Sequence, residues 1–378
     1  MRGHLQQRGA DSWRLKVFLG RSTDGKRRYL ERTFRGLRRE AENELARMVV
    51  EVGEGRHAPA PPMTFGELLD RWLAMKKLSL EPSTLKSYEW VAERYLRPAL
   101  GERKLASVRP IELDELYTSL HTSGLSVRTV RICHTVVRQA LEQARRWGLI
   151  ARSPALDARP PRPRRREVTS PTVDQVRMLI GEARIEDPDF GAYLWLMAVT
   201  GCRRGEACAL RWSDVDLERG EITIHRSIAM AGATPYEKGT KTHQARRLAL
   251  DAATVGLLRE HRQRVRERVL RLGVGLTDDS HLFADVEGRP WRPDVCTNRF
   301  CRLRDRLGLA RVRLHDLRHF VATVLGDGGL PIATISNRLG HRDTATTLNI
   351  YTHAIPATDQ HAAEHLGNLL AAASSDGR

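Results

Sequence analysis

The chain has 378 residues, long for one core and suited to two or three domains. Hydrophobic residues make up 41% and charged residues 29%, an ordinary globular balance, and no stretch approaches the roughly 18 apolar residues of a membrane span. The net charge of +17 favours a polyanionic partner, because basic side chains gain by displacing the counterions condensed on nucleic acid. Met1 to Arg8 lacks the apolar segment of a secretion signal. The five cysteines, Cys133, Cys202, Cys208, Cys296 and Cys301, form no CxxC pair and no zinc spacing. Reduced thiols in a cytoplasmic protein are therefore expected, with no disulfide and no structural metal.

Residues 1–55 predict a small sheet followed by a helix. His4 to Arg8 suits a short strand, Trp13, Leu15, Val17 and Leu19 alternate with polar residues, Asp24-Gly25 is a turn signal, and Arg27 to Phe34 runs back. Ala41, Leu45, Met48, Val49 and Val52 then recur at helical spacing and would cover one sheet face. The other face is expected to carry Arg14, Lys16, Arg27 and Arg32, with Arg28 and Arg35 nearby, and to suit a DNA groove as a β-ribbon. On these residues alone it reads equally well as a solvated basic surface.

Residues 56–62 have linker composition, and from Thr64 the periodicity is helical. Four helices are predicted over 63–158. The first is capped by Thr64 and carries Phe65, Leu68, Leu69 and Trp72. The second carries Leu85 to Tyr95 and stops near Pro98. The third runs from Ile111 to about Ser123. The last is long, capped by Ser126 and reaches Trp147, with Val130, Val137, Leu141 and Ala144 inward and Arg128, Arg131, Arg138, Arg145 and Arg146 outward. Residues 159–167, containing Arg164 and Arg165, form a proline-stiffened basic linker suited to phosphate contact. Residues 168–378 form the largest domain, helices around a short sheet, with strands expected at Glu221–Arg226 and Thr240–Leu250. A final amphipathic segment carries Ala362, Ala363, Leu366, Leu369 and Leu370.

Four segments of this domain carry chemistry. Thr200-Gly201-Cys202-Arg203-Arg204-Gly205-Glu206 turns from an apolar helix into a second one, so that Arg203 projects from the turn and Glu206, one turn later, can hold its guanidinium. His315 and Arg318 lie at i and i+3 on one helical face, and a planar guanidinium binds two phosphate oxygens at once. Gly340 suits a helix C-cap, with His341 just beyond, and Tyr351 follows ten residues later. No carboxylate cluster has metal-ligand spacing, so charge stabilisation in this domain is expected from Arg, Lys and His. Singly, each segment is also compatible with a capping residue, a surface ion pair or core packing.

Taken together they resemble the tyrosine site-specific recombinase, or phage integrase, family. Residues 315–353, HDLRHFVATVLGDGGLPIATISNRLGHRDTATTLNIYTH, match the second motif box of that family, and residues 200–217, TGCRRGEACALRWSDVDL, match its first. The resemblance implies an α+β catalytic domain of the DNA breaking-rejoining type, an α-helical, SAM-like core-binding domain at 63–158 and an arm-type DNA-binding domain at 1–55. It implies that Tyr351 is the nucleophile, that Arg203 and Arg318 clamp the scissile phosphate, that His315 acts in proton transfer, that His341 bonds the phosphate and that Glu206 supports the site. The family lysine, a general acid in a β-hairpin turn, is matched best by Lys241, with Lys238 as its rival. It further implies a metal-, ATP- and cofactor-independent integrase of a phage or other mobile element, acting as a homotetramer on two double-stranded DNA sites. An excisionase or host DNA-bending protein is an expected partner, and the cytoplasm, at the nucleoid of a prokaryote, the expected location. A type IB topoisomerase would share the chemistry, and a non-catalytic DNA-binding regulator the fold.

Overall fold

The computed structural model describes residues 3–21, 27–53, 63–163, 170–239 and 245–340. The chain divides into two compact units, 1–164 and 165–378. It is mainly helical, with small antiparallel sheets.

The first unit begins with strands β1 (Gly3–Gly9), β2 (Ser12–Arg21) and β3 (Arg27–Arg35) in the order β1-β2-β3, followed by helix α1 (Arg38–Gly53). The alternation in β2 buries Trp13, Leu15 and Val17 against Ala41, Met48 and Val52 of α1, and each fully buried aliphatic side chain contributes about 1.5–3 kcal/mol. Trp13 Nε1 donates to the carbonyl of Gly36, 3.0 Å away, which ties β2 to the turn before α1. One expectation fails. Arg32 pairs across the sheet with Leu15, so it lies on the helix side, where it forms an ion pair with Glu44 of α1. The polar character of Arg32 suggested an outward position, but strand parity places it inward.

A second core in the same unit belongs to helices α2 (Phe65–Lys76), α3 (Pro82–Val91), α4 (Arg97–Leu100), α5 (Pro110–Thr122) and α6 (Val127–Arg146). Thr64 and Glu67 cap α2 reciprocally: the Glu67 amide donates to Thr64 Oγ1 at 3.2 Å, and the Thr64 amide to Glu67 Oε2 at 2.8 Å. The expected second helix comprises α3 and α4, joined by a π turn over Ala92–Leu96. Ser126 Oγ accepts from the Thr129 amide to start α6, whose Val130, Cys133, Val137, Leu141 and Ala144 are buried.

In the second unit, α7 (Val173–Glu186) packs on α8 (Pro188–Thr200), a helix buried along most of its length. The short α9 (Arg204–Ala209) leads to β4 (Val215–Asp216) and β5 (Glu221–Ile224). A hairpin of β6 (Arg226–Ala231) and β7 (Thr234–Gly239) follows, then β8 (Arg246–Ala249), which pairs with β5. The β6–β7 hairpin was not expected, because Ile228 is its only buried aliphatic residue among the described residues. Of the strand expected at Thr240–Leu250, residues 240–244 lie outside the described residues, and the rest is β8. Helices α10 (Ala252–Arg271), α11 (Pro293–Arg306), α12 (Asp316–Asp327) and α13 (Ile332–Leu339) complete the unit. No helix of the described residues is long and apolar enough to cross a membrane.

Candidate active site

The site forms where the ends of α8 and α13 meet. Gly201 closes α8 in the left-handed region, with φ of 65°, and a Cβ there would fall 2.4 Å from Leu339 Cδ2 at the end of α13. Glycine is needed on both counts. Gly340 closes α13 with the same φ.

Arg203 stands immediately before α9, and Glu206 turns back onto it. Glu206 Oε2 accepts from the Arg203 amide at 2.9 Å, and Oε1 accepts from Arg203 Nη1 at 2.8 Å. The carboxylate is 1% exposed. Arg246 of β8 supplies a second cation, donating Nη2 to Glu206 Oε2 at 2.5 Å. Burial opposes the charge on Glu206, but the Arg246 hydrogen bond and the two guanidiniums outweigh it, so the carboxyl is held below its ordinary range. Arg203 Nη2 reaches the Gly340 carbonyl at 3.3 Å.

Arg318, on the first turn of α12, is 2% exposed and donates Nη1 to the Gly201 carbonyl at 2.6 Å. Its Nη2 is buried and has no hydrogen-bond partner among the described residues. Burial, then the positive charge of Arg203, pushes this guanidinium down to about 9 despite Glu206, so it remains a cation at neutral pH. Three guanidiniums thus surround one carboxylate, and one of them has an open donor. An excess of buried positive charge is costly unless an anion completes it. His315 precedes α12 with helical backbone angles, which preserves the expected i, i+3 relation to Arg318. Desolvation by its neighbours, then the charges of His319 and Arg318, push its imidazole down to about 4, while the residue stays exposed to solvent and can act as a neutral base. His319 lies edge-on to it, with ring centroids 5.2 Å apart.

Arg203, Glu206, His315 and Arg318 are therefore brought together. Lys241, His341 and Tyr351 lie outside the described residues. Lys238 is in β7, opposite Ser227. Arg246 and Arg338 were missed by the sequence reading. The available signal was period-two parity, since Arg246 shares a face with buried Leu248 and opposes buried Ile224, whereas Arg247 points outward.

Of the expected DNA contacts, Arg14 and Lys16 project from the open sheet face, where both pair with Glu31, and Arg27 has the same strand parity as Glu31. Arg128, Arg131 and Arg138 are exposed on α6. Arg131 and Arg138 line a groove of about 530 Å³ with Trp72, Lys76, His134 and Arg146. Burial, then Arg138 and Arg131, hold the His134 imidazole below its usual value, a sign of positive potential along this groove. Arg164 and Arg165 lie outside the described residues.

A guanidinium-lined site with an open buried donor, in a strongly basic chain, suits an anion such as a phosphate. The family comparisons agree. The phage integrase family matches residues 172–357, and the phage integrase N-terminal SAM-like domain matches residues 64–121. A tyrosine recombinase XerC-like protein of Caldanaerobacter subterraneus is 25% identical over 384 residues, covering 96% of this chain and 97% of its own. The Tn1549 transposon integrase (residues 82–397), in complex with transposon right-end DNA, superposes with a TM-score of 0.66 at 20% identity, over 81% of this chain and 100% of that one. A lambda integrase tetramer bound to a Holliday junction gives 0.60 at 18% identity, over 92% and 94%. The chain belongs to the phage integrase family: it is a tyrosine recombinase, which breaks and rejoins DNA.

Proposed function

We propose that the chain is the integrase of a phage or other mobile element, with Tyr351 as its nucleophile. The observation that carries this reading is the buried, unpartnered Nη2 of Arg318 beside Arg203, an anion site that the protein itself leaves unfilled among its described residues. In this mechanism Arg203 and Arg318 bind the two non-bridging oxygens of the scissile phosphate. Tyr351 Oη attacks phosphorus as the bond to the 5′-oxygen breaks, giving a 3′-phosphotyrosine. Neutral His315 takes the phenolic proton, Lys241 protonates the departing 5′-oxygen, with Lys238 the rival, and His341 bonds the phosphate. Glu206 fixes Arg203. Because the phosphotyrosine keeps the energy of the broken bond, a 5′-hydroxyl of a second duplex reverses the step and exchanges strands.

In this reading residues 168–378 are catalytic, residues 63–158 bind the core site through Arg128, Arg131 and Arg138, and residues 1–55 bind arm sites through Arg14, Lys16 and Arg27. Arg164 and Arg165 contact phosphate between the two. The active unit is a tetramer on two duplexes in the cytoplasm, assisted by an excisionase or a host bending protein. The test is recombination, by the full chain, of DNA spanning the ends of the element that carries its gene. Strand exchange by the wild type and none by Tyr351→Phe is expected. Site-independent relaxation of supercoiled plasmid would make it a topoisomerase, and no cleavage by either protein would make it a regulator.

A further inference from the structure

Two arginines hold β8 and α13 to each other reciprocally. Arg246 of β8 donates Nε to the carbonyl of Arg338 in α13 at 3.1 Å. Arg338 in turn donates Nη2 to the carbonyl of Ala249 in β8 at 3.4 Å and to that of Val199 in α8 at 3.1 Å. The Arg246 guanidinium also lies against Gly340, where an added Cβ would meet Nη1 at 2.9 Å and Cζ at 3.2 Å. Meanwhile its Nη2 holds Glu206, and Glu206 holds Arg203. One side chain therefore touches both the carboxylate that orients a phosphate-clamping arginine and the helix end from which the chain continues to His341 and Tyr351.

We infer that Arg246 and Arg338 form a positioning latch, which sets the register between the phosphate clamp and the helix leading to the nucleophile. This rests on the assignment of Tyr351 as nucleophile. Neither residue need touch DNA. Their contribution is alignment, and a misplacement of about 1 Å at a reacting centre costs on the order of 100-fold in rate. The double grip also explains why an arginine is needed at 246: a lysine can hold Glu206 but has no second planar nitrogen for the Arg338 carbonyl.

The test is single-turnover cleavage of a nicked suicide substrate by the full chain, with wild type, Arg246→Met, Arg246→Lys and Arg338→Met. DNA dissociation constants and melting temperatures are measured in parallel. Cleavage is expected to fall about 100-fold in Arg246→Met and about 10-fold in Arg338→Met, with DNA affinity within about threefold of wild type in both. Arg246→Lys should fall between them. A second substrate, with sulfur as the bridging 5′-atom, supplies a leaving group that needs no acid, and the loss should persist on it because attack itself is misaligned. Folded Arg338→Met protein that cleaves at the wild-type rate overturns the latch, as does a loss confined to DNA affinity. If Arg246→Met does not fold, Arg246→Lys and Arg338→Met decide on the same criteria. Failure of the wild type to form a tyrosine adduct instead overturns the reading of Tyr351, so the two failures are distinct.

Discussion

Arg318 donates Nη1 to the carbonyl of Gly201 and keeps Nη2 buried without a partner among the described residues, so a cation at the centre of the catalytic unit is half satisfied. Such a group lowers stability for the sake of binding, and its removal should show this. Arg318→Met is expected to abolish DNA cleavage while leaving the free protein as stable or more stable, by on the order of 1 kcal/mol. Thermal unfolding with and without excess sulfate checks it: sulfate should raise the melting temperature of the wild type and have less effect on the variant.

The neutrality of His315 gives a pH signature. Its value falls from an ordinary 6.5 to about 4 in the fold. Between those values the unfolded chain binds the proton and the folded chain does not, so this contribution to stability is present above pH 6.5 and is lost as pH falls toward 4. Unfolding measured across that window should show a steeper loss for wild type than for His315→Gln. Equal slopes would mean that His315 titrates normally.

Gly201 joins the clamp to the α13 end. Gly201→Ala places a methyl 2.4 Å from Leu339 Cδ2 in a left-handed backbone. The backbone alone costs about 1–2 kcal/mol, and separation of α8 from α13 would displace the carbonyl that Arg318 uses. Urea unfolding should show the destabilisation, and cleavage should fall even where the variant remains folded.

On the sheet of the first unit, Glu31 pairs with both Arg14 and Lys16, and its carboxyl is held low by Lys16 first and Arg14 second. If this face contacts arm DNA, Glu31 must share or release those cations. Glu31→Gln is expected to tighten DNA binding and to steepen the dependence of log affinity on log salt by about one. An unchanged slope would remove the face from the DNA contacts.

Much of this could be read from the sequence, for identifiable reasons. The β2 alternation of Trp13, Leu15 and Val17 and the α6 stripe of Val130, Val137 and Leu141 are periodic, so their faces follow from spacing. Thr64 and Ser126 cap through side-chain oxygens and Gly340 through a left-handed backbone, and each acts within a few positions. Arg203, Glu206, His315 and Arg318 were picked out by short local patterns, each ambiguous singly, and their expected roles came only with the resemblance of the segments taken together. Arg246 and Arg338 were not, since their partners, Glu206 and the carbonyls of Val199, Ala249 and Arg338, are 40 to 139 residues distant. Arg32 was misplaced because its charge was weighed above its strand parity, and the ion pair with Glu44 that allows a cation on the helix side is a tertiary fact.

The measurement that tests the central claim most directly is peptide mapping of the covalent protein–DNA adduct trapped on a suicide substrate. The account predicts one modified peptide, containing Asn349-Ile350-Tyr351-Thr352-His353 and carrying a 3′-phosphonucleotide on Tyr351. An adduct on any other residue, or one that still forms with Tyr351→Phe, would contradict it.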